Sequence, residues 1–299
     1  MIVNFMMRRI AGMIADTRRS PILRRPDEFG LEYEDVSFQS ADGITLEGWY
    51  MPAKKPSNKI VICNHFSPGN RYGYAGHLKG WRQAGGFEVN FIPKYKALVE
   101  AGYNVLAYDL RNHGYSAPGQ NKGYNPKLFE YKDVLGSLNY VRSNPQTKDM
   151  DIHLQSICLG GNATLVAMEK HPEAFEGIKS MILIQPISGD ALVRRLSKNL
   201  RMGKRGYDAF ERNYREIWGF RIEDSSPQLD AAHVKVPTFV TQVRKDAFTY
   251  AEEDVQAVYD NIPVEDKKLY WIEGTTQRFR GYQYFSDHPE QMVEWYNAH

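Results

Sequence analysis

Between the apolar run Met150–Gln155 and the helix-like stretch Asn162–Met168, the chain has a short turn built on Ser156-Ile157-Cys158-Leu159-Gly160. A strand that reverses into a helix over one residue forces that residue into strained backbone geometry and needs small neighbours two positions to either side. Ser156 and Gly160 supply them, so the residue at the apex is pushed out as a nucleophile. Here that residue is Cys158. The pentapeptide by itself is a weak signal, because Ser, Cys and Gly co-occur often; its place between strand and helix gives it weight.

The rest of the chain repeats the alternation. Glu34–Gln39 and Ile44–Tyr50 alternate apolar and polar residues around Ala41-Asp42-Gly43, which is hairpin chemistry. Denser apolar segments follow at Lys59–Asn64, Tyr103–Asp109, the run ending at Gln155, Ile178–Ile184, Thr238–Gln242 and Lys268–Ile272, as strands covered on both faces should read. Helical patterns at Tyr95–Glu100, Tyr131–Val141, Asn162–Lys170, Ala251–Asn261 and Pro289–Asn297 separate them. This order predicts an α/β fold: a mostly parallel, doubly wound sheet opened by an antiparallel hairpin. Two connections are too long for plain loops, His65 to about Asn90 and roughly Pro186 to Val236. The second has its own helical pattern and predicts a helical cap at about 187–235.

Composition excludes several classes. A chain of 299 residues, 42% hydrophobic and 25% charged, can bury a full core, and a net charge of +2 gives no reason to expect nucleic-acid binding. The two cysteines, Cys63 and Cys158, point to free thiols in a reducing compartment, and a cytoplasmic location is expected. Arg8 and Arg9 interrupt the apolar N-terminus, and no stretch approaches the roughly 20 apolar residues of a membrane span. Residues 1–30 read as a basic arm, with six arginines against Asp16 in the first 25. Such an arm packs on the body or on a second subunit, or touches a membrane surface. The eight histidines lack metal-ligand spacing, and Gly160-Gly161 lacks the rest of a phosphate-binding fingerprint, so no metal or cofactor is expected.

In order and content the chain resembles the α/β-hydrolase superfamily over about residues 31–299. The resemblance rests on Ala41–Trp49, on Gly102–Ser116 with its Arg111-Asn112-His113-Gly114 core, on the elbow at Cys158, and on Val236–Val240 leading to Lys245-Asp246. The cysteine elbow is similar to that of dienelactone hydrolases, while the body looks more like esterases and acyl-peptidases. The resemblance implies Cys158 as nucleophile and Asp246 as the triad acid. It also implies an oxyanion hole made by the backbone amides of Leu159 and Phe66. It places the base where Gly274-Thr275-Thr276-Gln277 ends, and Gln277 cannot carry a proton at neutral pH. His288 is a substitute base by chemistry, His65 a candidate substrate contact, and His113 a loop-stabilising residue.

Losing the base costs about 10²–10⁴ in rate but leaves the oxyanion hole and binding intact. A thiolate can still attack an activated ester, thioester or lactone, while activation of water is slow. Hydrolysis, acyl transfer and cyclisation are therefore all open. So are a non-hydrolytic lyase or isomerase using the same pocket, and a catalytically silent binding protein. Eight basic residues between Arg194 and Arg215, against Asp208 and Glu211, suit a carboxylate substrate or an acidic carrier protein. Phe66, Tyr72, Tyr74, Trp81, Trp218, Phe220, Phe279 and Tyr282 suggest a roomy pocket for an apolar or aromatic acyl group.

Overall fold

Apolar side chains on both faces of Lys59–Asn64 require cover on both sides. In the computed structural model, which describes residues 2–82 and 85–299, this strand lies inside an eight-stranded sheet. The chain runs α1 (Ile2–Ile14), β1 (Glu34–Gln39), β2 (Thr45–Met51), β3 (Lys59–Asn64), β4 (Gly73–Tyr74), β5 (Val89–Asn90), α2 (Ile92–Glu100) and β6 (Asn104–Tyr108). It continues through α3 (Tyr131–Ser143), β7 (Asp151–Ile157), α4 (Leu159–Lys170), β8 (Ser180–Ile184), α5 (Gly189–Asn199) and α6 (Gly203–Trp218). It ends with β9 (Thr238–Val243), α7 (Val255–Asn261), β10 (Lys267–Ile272), α8 (Arg278–Asp287) and α9 (Glu290–Ala298).

The strand order is β1-β2-β6-β3-β7-β8-β9-β10. The β1–β2 hairpin is antiparallel and joins β6 antiparallel, and every pairing from β6 to β10 is parallel. The expected mostly parallel sheet with its opening hairpin is what forms. Period-two alternation splits each central strand between two cores. Ile60, Ile62, Leu106 and Tyr108 point to the layer of α3 and α4; Val61, Cys63, Val105 and Ala107 point to that of α2, α8 and α9.

Three details differ from the sequence reading. The strand before the elbow runs on to Ile157, and the Cys158 amide still donates to Ile184 O at 2.9 Å, so pairing with β8 carries the strand to the apex. The helix expected from Ala251 begins at Val255, since Asp254 is drawn inward to accept the Ser188 amide at 2.7 Å. Helix α8 has no counterpart in the sequence reading, because its aromatics and Gly281 score poorly as helix formers. Gly281 is required there: a Cβ would lie 2.5 Å from Gln185 Nε2.

The N-terminal helix packs on α6. Met7, Ala11 and Ala15 share a third core with Val193, Phe210 and Tyr214, and Trp218 Nε1 donates to Ala11 O at 2.8 Å. Beyond it, Asn70 Nδ2 donates to Ser20 O at 2.8 Å and Arg19 to Gly114 O at 2.7 Å, which fastens the segment across the carboxyl end of the sheet. No helix among the described residues is long and apolar enough to cross a membrane.

One buried cation lies in the α2 layer. Lys94 is 1% exposed, with Nζ 3.7 Å from the Phe91 ring centroid, and burial pushes its ammonium down to about 7, partly offset by Cys63. An unfolded lysine titrates near 10.4, so between about pH 7 and 10.4 the unfolded chain binds more protons and stability rises with pH. Lys94→Met removes this linkage. Its stability gain over wild type should be largest below pH 7 and shrink as the pH approaches 10.4, as urea denaturation at several pH values will show. A gain that grows with pH would refute the assignment.

Candidate active site

The backbone of Cys158 has φ 50° and ψ −108°, a conformation that favours glycine, at the residue preceding the first turn of α4. The packing explains why the neighbours must be small. A Cβ on Gly160 would sit 2.5 Å from Asn64 O and 2.7 Å from His65 O, and the Gly160 amide donates to His65 O at 3.1 Å. Ser156 is buried, its hydroxyl 2.9 Å from Thr164 Oγ1 and 2.9 Å from Asn64 Nδ2. The end of β3 is thereby clamped to the elbow, which brings the loop at Phe66 beside Cys158. Among the described residues neither the Phe66 nor the Leu159 amide has a hydrogen-bond partner within the protein.

Cys158 opens onto a cavity of about 410 Å³ whose walls are mostly apolar, including Leu159, Ile187, Leu192, Ile222 and Phe279. Tyr282 lines it too, with its ring stacked on Phe66 at a centroid distance of 4.2 Å. Phe66 itself is fully buried and is a floor beneath Tyr282, not a wall of the cavity.

Asp246 is buried after β9. It accepts hydrogen bonds from Gln242 Nε2 at 2.9 Å and from the Phe248 amide at 3.0 Å. The residue that faces it is not Gln277 but Arg278. The Arg278 guanidinium, with no exposed side-chain surface, pairs with Asp246, donates from Nε to the Tyr282 hydroxyl at 2.7 Å, and binds the carbonyls of Gln185 and Pro186. Burial works against this cation, but Tyr282, Asp246 and Cys158 outweigh it and keep it charged. Burial likewise holds the Tyr282 phenol well above its ordinary range, opposed by Arg278 and reinforced by the Cys158 sulfur. The result is a chain from the Asp246 carboxylate through Arg278 to the Tyr282 hydroxyl at the Cys158 wall, with no proton-accepting imidazole in it.

The other sequence-derived candidates fall elsewhere. Gln277 is the exposed residue before α8, its backbone N–H donating to Thr275 Oγ1 at 3.1 Å. His288 is exposed at the far end of that helix, about 15 Å along the axis from Arg278 at a rise of 1.5 Å per residue. His65 spends both ring nitrogens on backbone: Nδ1 is 2.8 Å from Phe66 O, and Nε2 accepts the Leu110 amide at 2.9 Å. It does not line the cavity.

One arrangement escaped the sequence reading. His113 Nδ1 lies 2.8 Å from Arg111 O, which leaves Nε2 to accept from Ser67 Oγ at 3.1 Å, and Ser67 lines the cavity. The geometry is that of a dyad, but burial, with His65 adding to it, pushes the His113 imidazole down to about 3. A base that weak leaves Ser67 a polar wall and keeps His113 in the scaffold around Arg111, which pairs with Asp133 at 2.7 Å and Asp42 at 2.6 Å.

The strand order, the elbow and an acid after β9 are the plan of the α/β-hydrolase fold, and the family described as alpha/beta hydrolase fold matches residues 72–266; the chain belongs to this family. Over 137 residues, 46% of this chain, it is 26% identical to the polyketide transferase grgF of a Penicillium species, and over 149 residues, 50% of the chain, 28% identical to a polyketide transferase of Gibberella fujikuroi. The matched regions span 40% and 38% of those relatives, less than half their length. Among solved structures, esterase Pf2001 of Pyrococcus furiosus superposes with a TM-score of 0.67 at 22% identity over 95% of this chain and 96% of its own. The GrgF hydrolase of Penicillium sp. sh18 gives 0.59 at 18% identity over 90% and 99%. The dienelactone hydrolase of Anabaena variabilis gives 0.56 at 16% identity over 90% of this chain and 98% of its own. At these identities the structural likeness concerns the fold.

Proposed function

We propose that Cys158 accepts an acyl group from an ester, thioester or lactone and passes it to a second nucleophile in preference to water. The single observation that carries this reading is the Arg278–Asp246 ion pair where a hydrolase of this fold keeps its base. An arginine stays protonated and cannot take a proton from water. A thiolate needs no base once formed, and the amino end of α4 favours negative charge there.

The first step joins Sγ to the substrate carbonyl carbon. The oxyanion collects between the Phe66 and Leu159 amides and then collapses, and the leaving thiolate or alkoxide departs to take its proton from solvent. In the second step an amine, thiol or substrate hydroxyl attacks the Cys158 thioester. The C–S bond breaks, the thiolate returns, and the incoming group gives its proton to solvent. Amines and thiols react with thioesters without the strong base assistance that water needs, and that difference selects transfer over hydrolysis. The polyketide transferase names of the relatives agree with a transfer reaction.

Mixing the protein with p-nitrophenyl hexanoate tests this. The expected result is about one equivalent of p-nitrophenol released in a burst, a hexanoyl adduct in the intact mass, and a following turnover about 100-fold slower that cysteamine accelerates. Steady hydrolysis without a burst or adduct would mean that a water-activating base is present, and no release at all would favour a silent binding protein.

A further inference from the structure

The cavity that Cys158 opens onto is walled on one side by the N-terminal segment, through Met13, Ile14, Asp16 and Arg18. Asp16 and Arg18 are the charged residues of the described lining. We propose that Arg18 reads an anionic group on the non-acyl end of the substrate, so that the site favours thioesters carried on a phosphate-bearing arm over neutral ones. The inference rests on the acyl-transfer reading above and adds the class of acyl donor to it.

Arg18 is exposed, and among the described residues it has no carboxylate partner. Its guanidinium lies 4.7 Å over the ring of Trp81, another wall of the cavity. A guanidinium held over an indole face by cation–π attraction keeps N–H donors available for phosphate or carboxylate. Its neighbour Arg19 is spent on the carbonyls of His113 and Gly114, so only Arg18 of this pair serves the cavity.

Asp16 is the opposing charge. It is held by a backbone bridge to Gly123 and gives its carbonyl to the Arg18 amide at 3.0 Å. Lys79 and Arg82, the exposed basic residues flanking Trp81 in sequence, have no acid between residues 77 and 82. With the reacting carbonyl at Cys158 and the acyl chain among the apolar walls, the leaving end of a thioester has the mouth left to occupy. An anion there has Arg18 among the walls it meets.

The experiment compares Cys158 acylation rates with three hexanoyl thioesters: that of coenzyme A, that of N-acetylcysteamine, which is neutral, and that of 3-mercaptopropionate, which is a carboxylate. Arg18→Gln should slow the coenzyme A thioester about tenfold and Arg18→Glu should slow it further, while the N-acetylcysteamine thioester changes less than about twofold. A loss confined to coenzyme A assigns the phosphate, and a loss shared with the mercaptopropionate thioester supports recognition of any short anion. Equal losses on all three, or none, overturn the role of Arg18. Acylation by p-nitrophenyl hexanoate is the control: if it fails in wild type, the transfer reading is what has failed. In that event calorimetric binding of coenzyme A to wild type and Arg18→Gln still tests the anion site, and equal affinity would overturn it.

Discussion

Cys158→Ser should be nearly as inactive as Cys158→Ala, both losing the hexanoyl adduct and the burst by at least about 10³-fold. In most sites of this fold a serine is the natural nucleophile, so the substitution looks mild. It is severe here because a hydroxyl attacks only when a base takes its proton in the same step, while a thiol reaches its reactive form by simple ionisation. The surroundings of Cys158 supply fixed positive charge and donors: the α4 amino end, Arg278 through Tyr282, and the two unpartnered amides. None of these accepts a proton. His113, at the cavity wall through Ser67, is pushed down to about 3 and is too weak to substitute. Rates of p-nitrophenol release and intact masses for the two variants decide the matter. A serine variant retaining more than about a tenth of wild-type acylation would prove a working base at the site and end the argument built on Arg278.

The parts of this site that leave a recurrent pattern of residue types along the chain were readable in the sequence. The elbow was legible because such a turn needs small residues at 156 and 160, a need enforced at Gly160 by the close backbone of Asn64 and His65. The sheet was legible because strands buried on both faces leave a density of apolar residues that surface elements lack, and β3 matches its expected ends. Asp246 lies after β9, the position the resemblance gave it, although its partner there was not legible. Counting from Gly274 leads to Gln277, but the loop is one residue longer than that count assumes. Arg278 thus takes the inward position and Gln277 is left in solvent.

What remained hidden depended on contacts remote in sequence. Arg278 and Tyr282 are four residues apart, a helical spacing, but no helix was expected there because Gly281 and the aromatics argue against one. Only the Gln185 side chain, 93 positions away at the Arg278 carbonyl, shows why that glycine is needed. The basic N-terminal arm carries apolar residues whose spacing is compatible with a membrane surface, a second subunit or the body. The third core, with Met7 and Ala11 against Phe210 and Tyr214, shows it on the body and at the cavity mouth. Lys94 is a third case: its position in an amphipathic helix gives no hint that its ammonium lies over Phe91 in the core.

Arg278→Met should lower the unfolding free energy by about 3–5 kcal/mol, the cost of leaving one member of a buried ion pair without the other. The side chains of Arg278 and Asp246 are both fully buried, so solvent screens neither charge. The methionine also abandons the carbonyls of Gln185 and Pro186 and the Tyr282 hydroxyl, each of which loses a donor it cannot replace from water. The charge, more than the hydrogen bonds, should dominate, and a double variant separates them. In Arg278→Met with Asp246→Leu the uncompensated carboxylate is gone, so most of the loss should be recovered even though the carbonyls, Gln242 Nε2 and the Phe248 amide are left unpartnered. Guanidinium denaturation of the three proteins reads this directly through the midpoint at constant slope. If the single variant lies within about 1 kcal/mol of wild type, the pair contributes little to the fold. If the double variant is as unstable as the single one, the polar network around Gln185, and not the ion pair, is what Arg278 holds together.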